Sequence, residues 1–211
     1  METKDKEIRD LIDDFKKHPE QYMFFLGAGF SSEIGLPVGK ELADMLKKSF
    51  EEKGFLQKGA DDTEGMGLDS LISLLLNKGI SRNVICAEIK RILEGKRNPA
   101  TNISMEDFFG MFYNIITKAA QSLDESQTPG QICIATTNWD TALSEVFGDK
   151  AISIYSGNEV VKRKEIESKR IVIYQLYGSI IDCKSLLLTN EDKRQIKEKG
   201  GNTVGFLQGR C

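Results

Sequence analysis

The feature that most constrains the fold is an apolar run over residues 22–26 that ends in Gly27-Ala28-Gly29. Such a run predicts a buried strand that turns directly into a loop. Because glycine has no Cβ, the backbone of this loop can approach a phosphate group closely, and the start of a following helix offers N–H groups to the anion. The loop therefore favours a nucleotide ligand, although Ser32 stands where the usual G-x-G-x-x-G pattern has its third glycine.

Apolar patterning along the rest of the chain predicts strands that alternate with helices, which indicates a parallel α/β sheet. The predicted strands cover residues 22–26, 132–136, 151–155 and 171–176, with a fifth over 186–188. The predicted helices fall near residues 4–17, 42–50, 71–76, 84–93, 104–116, 142–146 and 190–199. We expect one domain over residues 1–211 with a helical insertion over about 68–125, and the charge-rich segment 162–170 favours a solvated linker.

Composition and charge exclude several classes of function. A net charge of -3 gives no basic excess to offset phosphates, so we expect no direct binding of nucleic acid. The four cysteines form no C-x-x-C pair, which indicates neither a zinc site nor a redox pair and favours reduced thiols. No apolar run has the length of a membrane span, and charged residues follow Met1, so we expect a cytoplasmic protein with no metal and no membrane contact.

Polar motifs follow three of the predicted strands at their carboxyl ends, which is where open parallel sheets bind ligands. They are the Gly27 loop, Thr136-Thr137-Asn138-Trp139-Asp140 and Tyr177-Gly178-Ser179. Each has an ordinary alternative, because Asn138-Trp139-Asp140 can cap the next helix and Gly178-Ser179 can form a plain turn. Their occurrence in this order, each after an apolar strand, favours one shared pocket.

In combination these motifs resemble the bacterial sirtuin-like domains. The resemblance covers about residues 24–194 and is carried by Gly27-Ala28-Gly29-Phe30-Ser31, Gly35-Leu36-Pro37, Thr136-Thr137-Asn138-Trp139-Asp140 and Leu176-Tyr177-Gly178-Ser179. It implies a Rossmann-like sheet with helices on both faces, NAD or ADP-ribose as ligand, and cleavage of the nicotinamide–ribose bond. Many such bacterial domains hydrolyse NAD in anti-phage defence, so it also implies a homo-oligomer or a partner effector or sensor subunit.

The resemblance assigns roles to individual residues. Asn138 matches the family's catalytic asparagine, which orients the nicotinamide ribose and the attacking water, and Asp140 matches an aspartate that braces the loop. The residues matched to NAD binding are Gly27, Ala28, Gly29, Phe30, Ser31, Pro37, Thr137, Asn138, Gly178 and Ser179. Loss of nicotinamide leaves a cationic ribose, so fixed polar groups beside it fit this chemistry.

Two departures from the family pattern bear on activity. Tyr177 stands at the position of the family's catalytic histidine, and a phenol stays protonated at neutral pH and cannot readily accept a proton. The only histidine of the chain, His18, is expected at the surface. No apolar run after residue 188 predicts the strand that carries the family's last loop, so we expect an incomplete sheet.

These departures leave three alternatives open. The chain is an NAD glycohydrolase that tolerates Tyr177, an inactive subunit that binds NAD or ADP-ribose, or a truncated chain whose site a partner completes. Turnover of NAD discriminates the first alternative from the other two.

Overall fold

A parallel sheet forms the centre of the computed structural model, which describes residues 2–32, 34–57, 59, 63–95, 105–123, 130–155 and 163–198. Its strands are β1 (Met23–Leu26), β2 (Ile132–Thr136), β3 (Ala151–Tyr155) and β4 (Ile171–Gln175). Their order across the sheet is β1-β2-β4-β3, and all three pairings are parallel. The predicted α/β class, with a Rossmann-like parallel sheet, is confirmed.

The two central strands have the complete burial that is typical of a parallel sheet. All five residues of β2 and all five of β4 are buried, as in strands covered by helices on both faces. The edge strand β3 instead alternates between half-buried and buried residues. Because all strands run in one direction, their carboxyl ends, at residues 26, 136, 155 and 175, lie along the same edge of the sheet.

Helices surround the sheet and fill the long connection between β1 and β2. They are α1 (Glu2–Lys17), α2 (Ala28–Ser32), α3 (Gly39–Glu52), α4 (Leu68–Asn77), α5 (Arg82–Gly95), α6 (Met105–Ser122), α7 (Ala142–Phe147), α8 (Arg163–Ser168) and α9 (Asn190–Glu198). Among the residues that the structure describes, no helix is both long enough and apolar enough to cross a bilayer.

Helices α3, α4 and α5, here called the helical layer, have an apolar core of their own. Leu42, Leu46 and Phe50 recur every fourth residue on α3, so that they form one buried face of the helix. The same cluster includes Leu186 and Leu188, which follow β4. The helical layer is therefore packed against the chain segment that leads from β4 to α9.

Two segments differ from the sequence prediction. Residues 186–188 were predicted to be a fifth strand, but they have no regular secondary structure and lie outside the sheet, where Leu186 and Leu188 are buried beside the helical layer. The charge-rich segment 162–170 was predicted to be a solvated linker, but it contains α8, whose Ile166 is fully buried against β2, β3 and β4. In both cases burial against a distant element decides the structure. Residues 199–211 lie outside the described residues.

The expectation of reduced cysteines is wrong for one pair. Cys86 on α5 and Cys183 form a disulfide, with Cα atoms 5.8 Å apart. The two residues are 97 positions apart in sequence, so no local spacing motif predicts that they pair. The bond joins the helical layer to the segment after β4.

Candidate functional site

The carboxyl ends of β1, β2 and β4 meet at a cavity of about 540 Å³. Backbone hydrogen bonds fix these ends to one another: the Thr137 N–H donates to the Leu26 carbonyl at 3.3 Å. The Leu176 N–H donates to the Thr136 carbonyl at 2.8 Å. The cavity lies where open parallel sheets bind ligands, and its volume falls within the roughly 300–1,000 Å³ of small-molecule sites.

Asn138 connects two of these strand ends through its side chain. Its Nδ2 donates to the Gly27 carbonyl at 3.1 Å and to Ser31 Oγ at 2.8 Å. Its backbone N–H donates to Thr136 Oγ1 at 3.1 Å. Asn138 Oδ1 is buried and has no hydrogen-bond partner among the described residues. An unsatisfied buried acceptor is costly, so this oxygen indicates a donor that comes with a ligand or water.

The glycine loop leaves open space in front of the backbone. A Cβ added at Gly27 or Gly29 would meet no atom within 4 Å, as a close approach between a ligand and this backbone requires. The loop continues directly into the short helix α2, where Phe30 turns toward the core. The Phe30 ring lies 4.7 Å from that of Phe109 and 5.3 Å from that of Phe112, centroid to centroid.

Asp140 lines the cavity and also braces the loop after β2. Its Oδ1 accepts a hydrogen bond from the Ala142 N–H at 2.9 Å, at the start of α7. Its carbonyl oxygen accepts one from Gln175 Nε2, at the end of β4, at 2.8 Å. These two bonds attach the loop after β2 to α7 and to the end of β4, and the role of Asp140 in a reaction stays a prediction.

The motif after β4 divides into one cavity residue and two turn residues. Tyr177 lines the cavity, whereas Gly178 and Ser179 do not. Gly178 has a φ of +85°, and a Cβ there would lie 2.2 Å from the Ser185 carbonyl oxygen. Ser179 is fully buried, and its N–H donates to Ser185 Oγ at 2.9 Å. Their contribution to the site is the shape of the turn that presents Tyr177.

A charged pair from outside the three motifs lies beside Tyr177. Lys193 Nζ on α9 lies 3.0 Å from Asp69 Oδ1 and 3.1 Å from Oδ2 on α4. The same ammonium lies 5.1 Å from the centroid of the Tyr177 ring. Both members of the pair line the cavity. His18, by contrast, is half exposed near the end of α1 and outside the cavity lining.

The cavity therefore brings together most, but not all, of the predicted site residues. Those that line it are Ala28, Ser31, Pro37, Thr137, Asn138, Asp140 and Tyr177. Those that do not are Gly27, Gly29, Phe30, Gly178 and Ser179. Sequence reasoning missed Lys40, Met66, Asp69, Leu93, Trp139 and Lys193. Asp69 and Leu93 come from α4 and α5, far along the chain from any motif, and Lys193 comes from α9. Lys40 follows Pro37 by three residues, and Trp139 stands inside a motif.

The sheet and its strand-end cavity define a Rossmann-like α/β protein. Within it, residues 132–211 match the family model of the SIR2-like domain. This segment contains β2, Asn138, β4 and Tyr177, and hence two of the three strand ends at the cavity. No curated protein matches the chain. The match supports a sirtuin-like family with an NAD-related function.

Proposed function

We propose that the cavity binds NAD and that the chain hydrolyses its nicotinamide–ribose bond. The observation that carries this proposal is the double attachment of Asn138. Its amide nitrogen is held by Gly27 and Ser31, while its buried oxygen has no partner among the described residues. The cavity volume also falls within the range of small-molecule sites.

The reaction needs an oriented ribose and a water held beside it. The bond between ribose carbon and nicotinamide nitrogen breaks, the water oxygen bonds to that carbon, and one water proton passes to solvent. Asn138 Oδ1 is the acceptor that orients the ribose hydroxyl or the water. Leu36, Leu42 and Leu93 line the cavity and exclude other water from the reacting bond.

Because of Tyr177 we expect the rate of NAD hydrolysis to be low. A protonated phenol cannot act as general base, and loss of a general base costs about 10²–10⁴-fold in rate. The same residue favours a second candidate function, in which the chain binds NAD or ADP-ribose as a subunit without turnover. In either case the ring remains available to pack against the ligand.

The test incubates the purified chain with NAD and follows nicotinamide and ADP-ribose by chromatography. Three variants are compared: Asn138→Ala, Tyr177→His, and Asn114→Ala as a matched control, since Asn114 is exposed on α6 and outside the cavity lining. We expect slow turnover that falls at least about 100-fold in Asn138→Ala, is unchanged in Asn114→Ala, and rises in Tyr177→His. Thermal unfolding of each variant separates loss of chemistry from loss of fold.

Other outcomes discriminate the alternatives. Turnover in Tyr177→His alone supports the binding subunit. Equal turnover in Asn138→Ala and the parent chain overturns the assignment of the site. Absence of NAD binding in both the parent and Tyr177→His overturns the proposal as a whole.

The proposal extends to a cellular role in bacterial anti-phage defence, in the cytoplasm, as a homo-oligomer or beside an effector or sensor subunit. The resemblance of the three strand-end motifs to sirtuin-like defence domains supports this part. Depletion of NAD in cells that express the chain during phage infection, compared with cells that express Asn138→Ala, is the corresponding measurement.

A further inference from the structure

The pair formed by Asp69 and Lys193 is the part of the cavity wall that belongs to no strand-end motif. Asp69 is the second residue of α4, in the helical layer, and Lys193 is the fourth residue of α9. The ion pair bridges these helices directly beside Tyr177, because the Lys193 ammonium lies 5.1 Å from the ring centroid. It therefore adds a carboxylate to the cavity wall, held by the lysine that lies beside Tyr177, the residue at the position of the family's histidine.

From this arrangement we propose that Asp69 binds the hydroxyl groups of the nicotinamide-side ribose and that Lys193 positions its carboxylate. The inference rests on the proposed NAD binding and names the group that recognises one end of the ligand. A carboxylate has about four lone-pair sites, and among the described residues Lys193 Nζ is the only side-chain donor to the Asp69 carboxylate, since Ser73 Oγ donates to the Asp69 backbone carbonyl. Acceptor capacity therefore remains for a ligand in the cavity.

The chemistry of the ligand explains why an acid belongs here. A ribose carries two neighbouring hydroxyl donors, and a carboxylate accepts hydrogen bonds from such donors, as the acidic residue of Rossmann dinucleotide sites does at the adenosine ribose. The phenol of Tyr177 is a weaker acceptor than an ionised carboxylate. The resemblance assigns Asn138 to the nicotinamide ribose and Tyr177 to the position of the catalytic histidine, so the ribose expected beside Asp69 is the one on that side.

Stability alone is a poor explanation for the pair. The Lys193 and Asp69 side chains are 27% and 33% exposed, and ion pairs of this kind contribute about 0–1 kcal/mol. A second ion pair already joins the helical layer to α9: Arg82 Nη1 lies 3.1 Å from Asp192 Oδ2, with similar exposure. Neither Arg82 nor Asp192 lines the cavity, so this second pair is a matched control.

The experiment measures binding of ADP-ribose and ADP by titration calorimetry. ADP-ribose carries the nicotinamide-side ribose and ADP does not, so the ratio of their Kd values reports contacts to that ribose alone. The variants are Asp69→Asn, Lys193→Met and Arg82→Gln. The parent chain should bind ADP-ribose more tightly than ADP.

In Asp69→Asn the affinity for ADP-ribose should fall about 10–100-fold, as loss of a hydrogen bond to a charged group implies, while the affinity for ADP stays within about twofold. Lys193→Met should lower the same ratio by about 3–10-fold, and Arg82→Gln should leave it unchanged. An unchanged ratio in Asp69→Asn, or equal losses for both ligands, overturns this inference and leaves the proposed function standing. A parent chain that binds neither ligand overturns both.

Discussion

The sheet and the helical layer are held in place in different ways. In the sheet, β2 and β4 are buried along their full length, and the hydrogen bonds of the parallel ladder fix their register. The helical layer shares an apolar core with Leu186 and Leu188, and discrete cross-links also attach it to the segment after β4. These are the Cys86–Cys183 disulfide and the ion pairs Arg82–Asp192 and Lys193–Asp69.

The comparison shows which part of the cavity is fixed and which is adjustable. Three strand ends supply a wall that follows from the sheet itself. The opposite wall includes Asp69, which lies on α4 of the helical layer, so its position depends on packing against Leu186 and Leu188 and on cross-links that single substitutions or a reductant can remove. Ligand fit should therefore depend on bonds that lie outside the cavity.

The largest effect is expected at Gly178, in the turn where the two regions join. Gly178→Ala places a Cβ 2.2 Å from the Ser185 carbonyl oxygen and 2.7 Å from the Leu186 Cα, at a φ of +85°. Backbone atoms cannot move aside cheaply, so the free energy of unfolding should fall by at least about 3 kcal/mol. Urea unfolding followed by circular dichroism measures this loss.

Gly95→Ala is the control for that substitution. Gly95 is the last residue of α5, and a Cβ there meets nothing within 4 Å, so the change should stay within about 1 kcal/mol. Equal unfolding midpoints for the two variants would show that the junction is not rigid.

The second largest effect is expected on breaking the disulfide. The bond closes a loop of 97 residues, so reduction or Cys86→Ala should lower the free energy of unfolding by about 2–4 kcal/mol. Unfolding measured with and without a phosphine reductant provides the test. Hydrogen exchange should speed up in α4 and α5 before it does in β2 and β4.

The Cys86→Ala variant should no longer respond to the reductant, which excludes an effect on any other thiol. A parent chain with the same midpoint in both conditions would contradict the role given to this cross-link.

The smallest of the three effects is expected at Glu88, inside the helical layer. The Arg91 guanidinium, together with Lys53 and Ser49, lowers the pKa of Glu88 from 4.5 to about 2, and the side chain is only 5% exposed. Because the folded pKa is lowered, the ionised carboxylate stabilises the fold above about pH 4.5. That contribution is lost as the pH falls through about 2.

Glu88→Gln should lower the free energy of unfolding by about 1–2 kcal/mol at pH 7 and flatten its decline between about pH 4.5 and 2. Urea unfolding at a series of pH values is the measurement. The control is Glu94→Gln on the same helix, where an exposed pair with Lys90 at 3.8 Å should contribute less than about 0.5 kcal/mol. If the free energy of unfolding of Glu88→Gln keeps the same pH dependence, a titratable group other than Glu88 is the source of that dependence.

The sheet was predictable from the sequence because its signals are local. The bounds of β2 and β3 coincide with the predicted runs, and β1 and β4 each differ by one terminal residue, Tyr22 and Leu176. The position of Asn138 at a strand end follows from the same reasoning, since a polar motif directly after a buried strand reaches the edge of the sheet. The ligand-binding roles of these motif residues stay predictions.

The opposite wall was not predictable, because its signals are not local. Asp69 and Lys193 are 124 positions apart, and each looks like an ordinary charged residue of an amphipathic helix. The disulfide spans 97 positions. Ile166 is one apolar residue within a charged segment, so only the sheet face that it covers reveals α8 as a packed helix.

The order of the strands has a consequence for how the chain reaches this structure. Among the described residues β1 pairs only with β2, and the 105 residues from 27 to 131 separate them, whereas β2, β3 and β4 all lie within residues 132–175. Because synthesis adds about 5–20 residues per second, β2 is made on the order of 5–20 s after β1. We expect the three later strands to associate first, so that the bond between Asn138 and the Gly27 carbonyl forms late and the ligand site is completed near the end of folding.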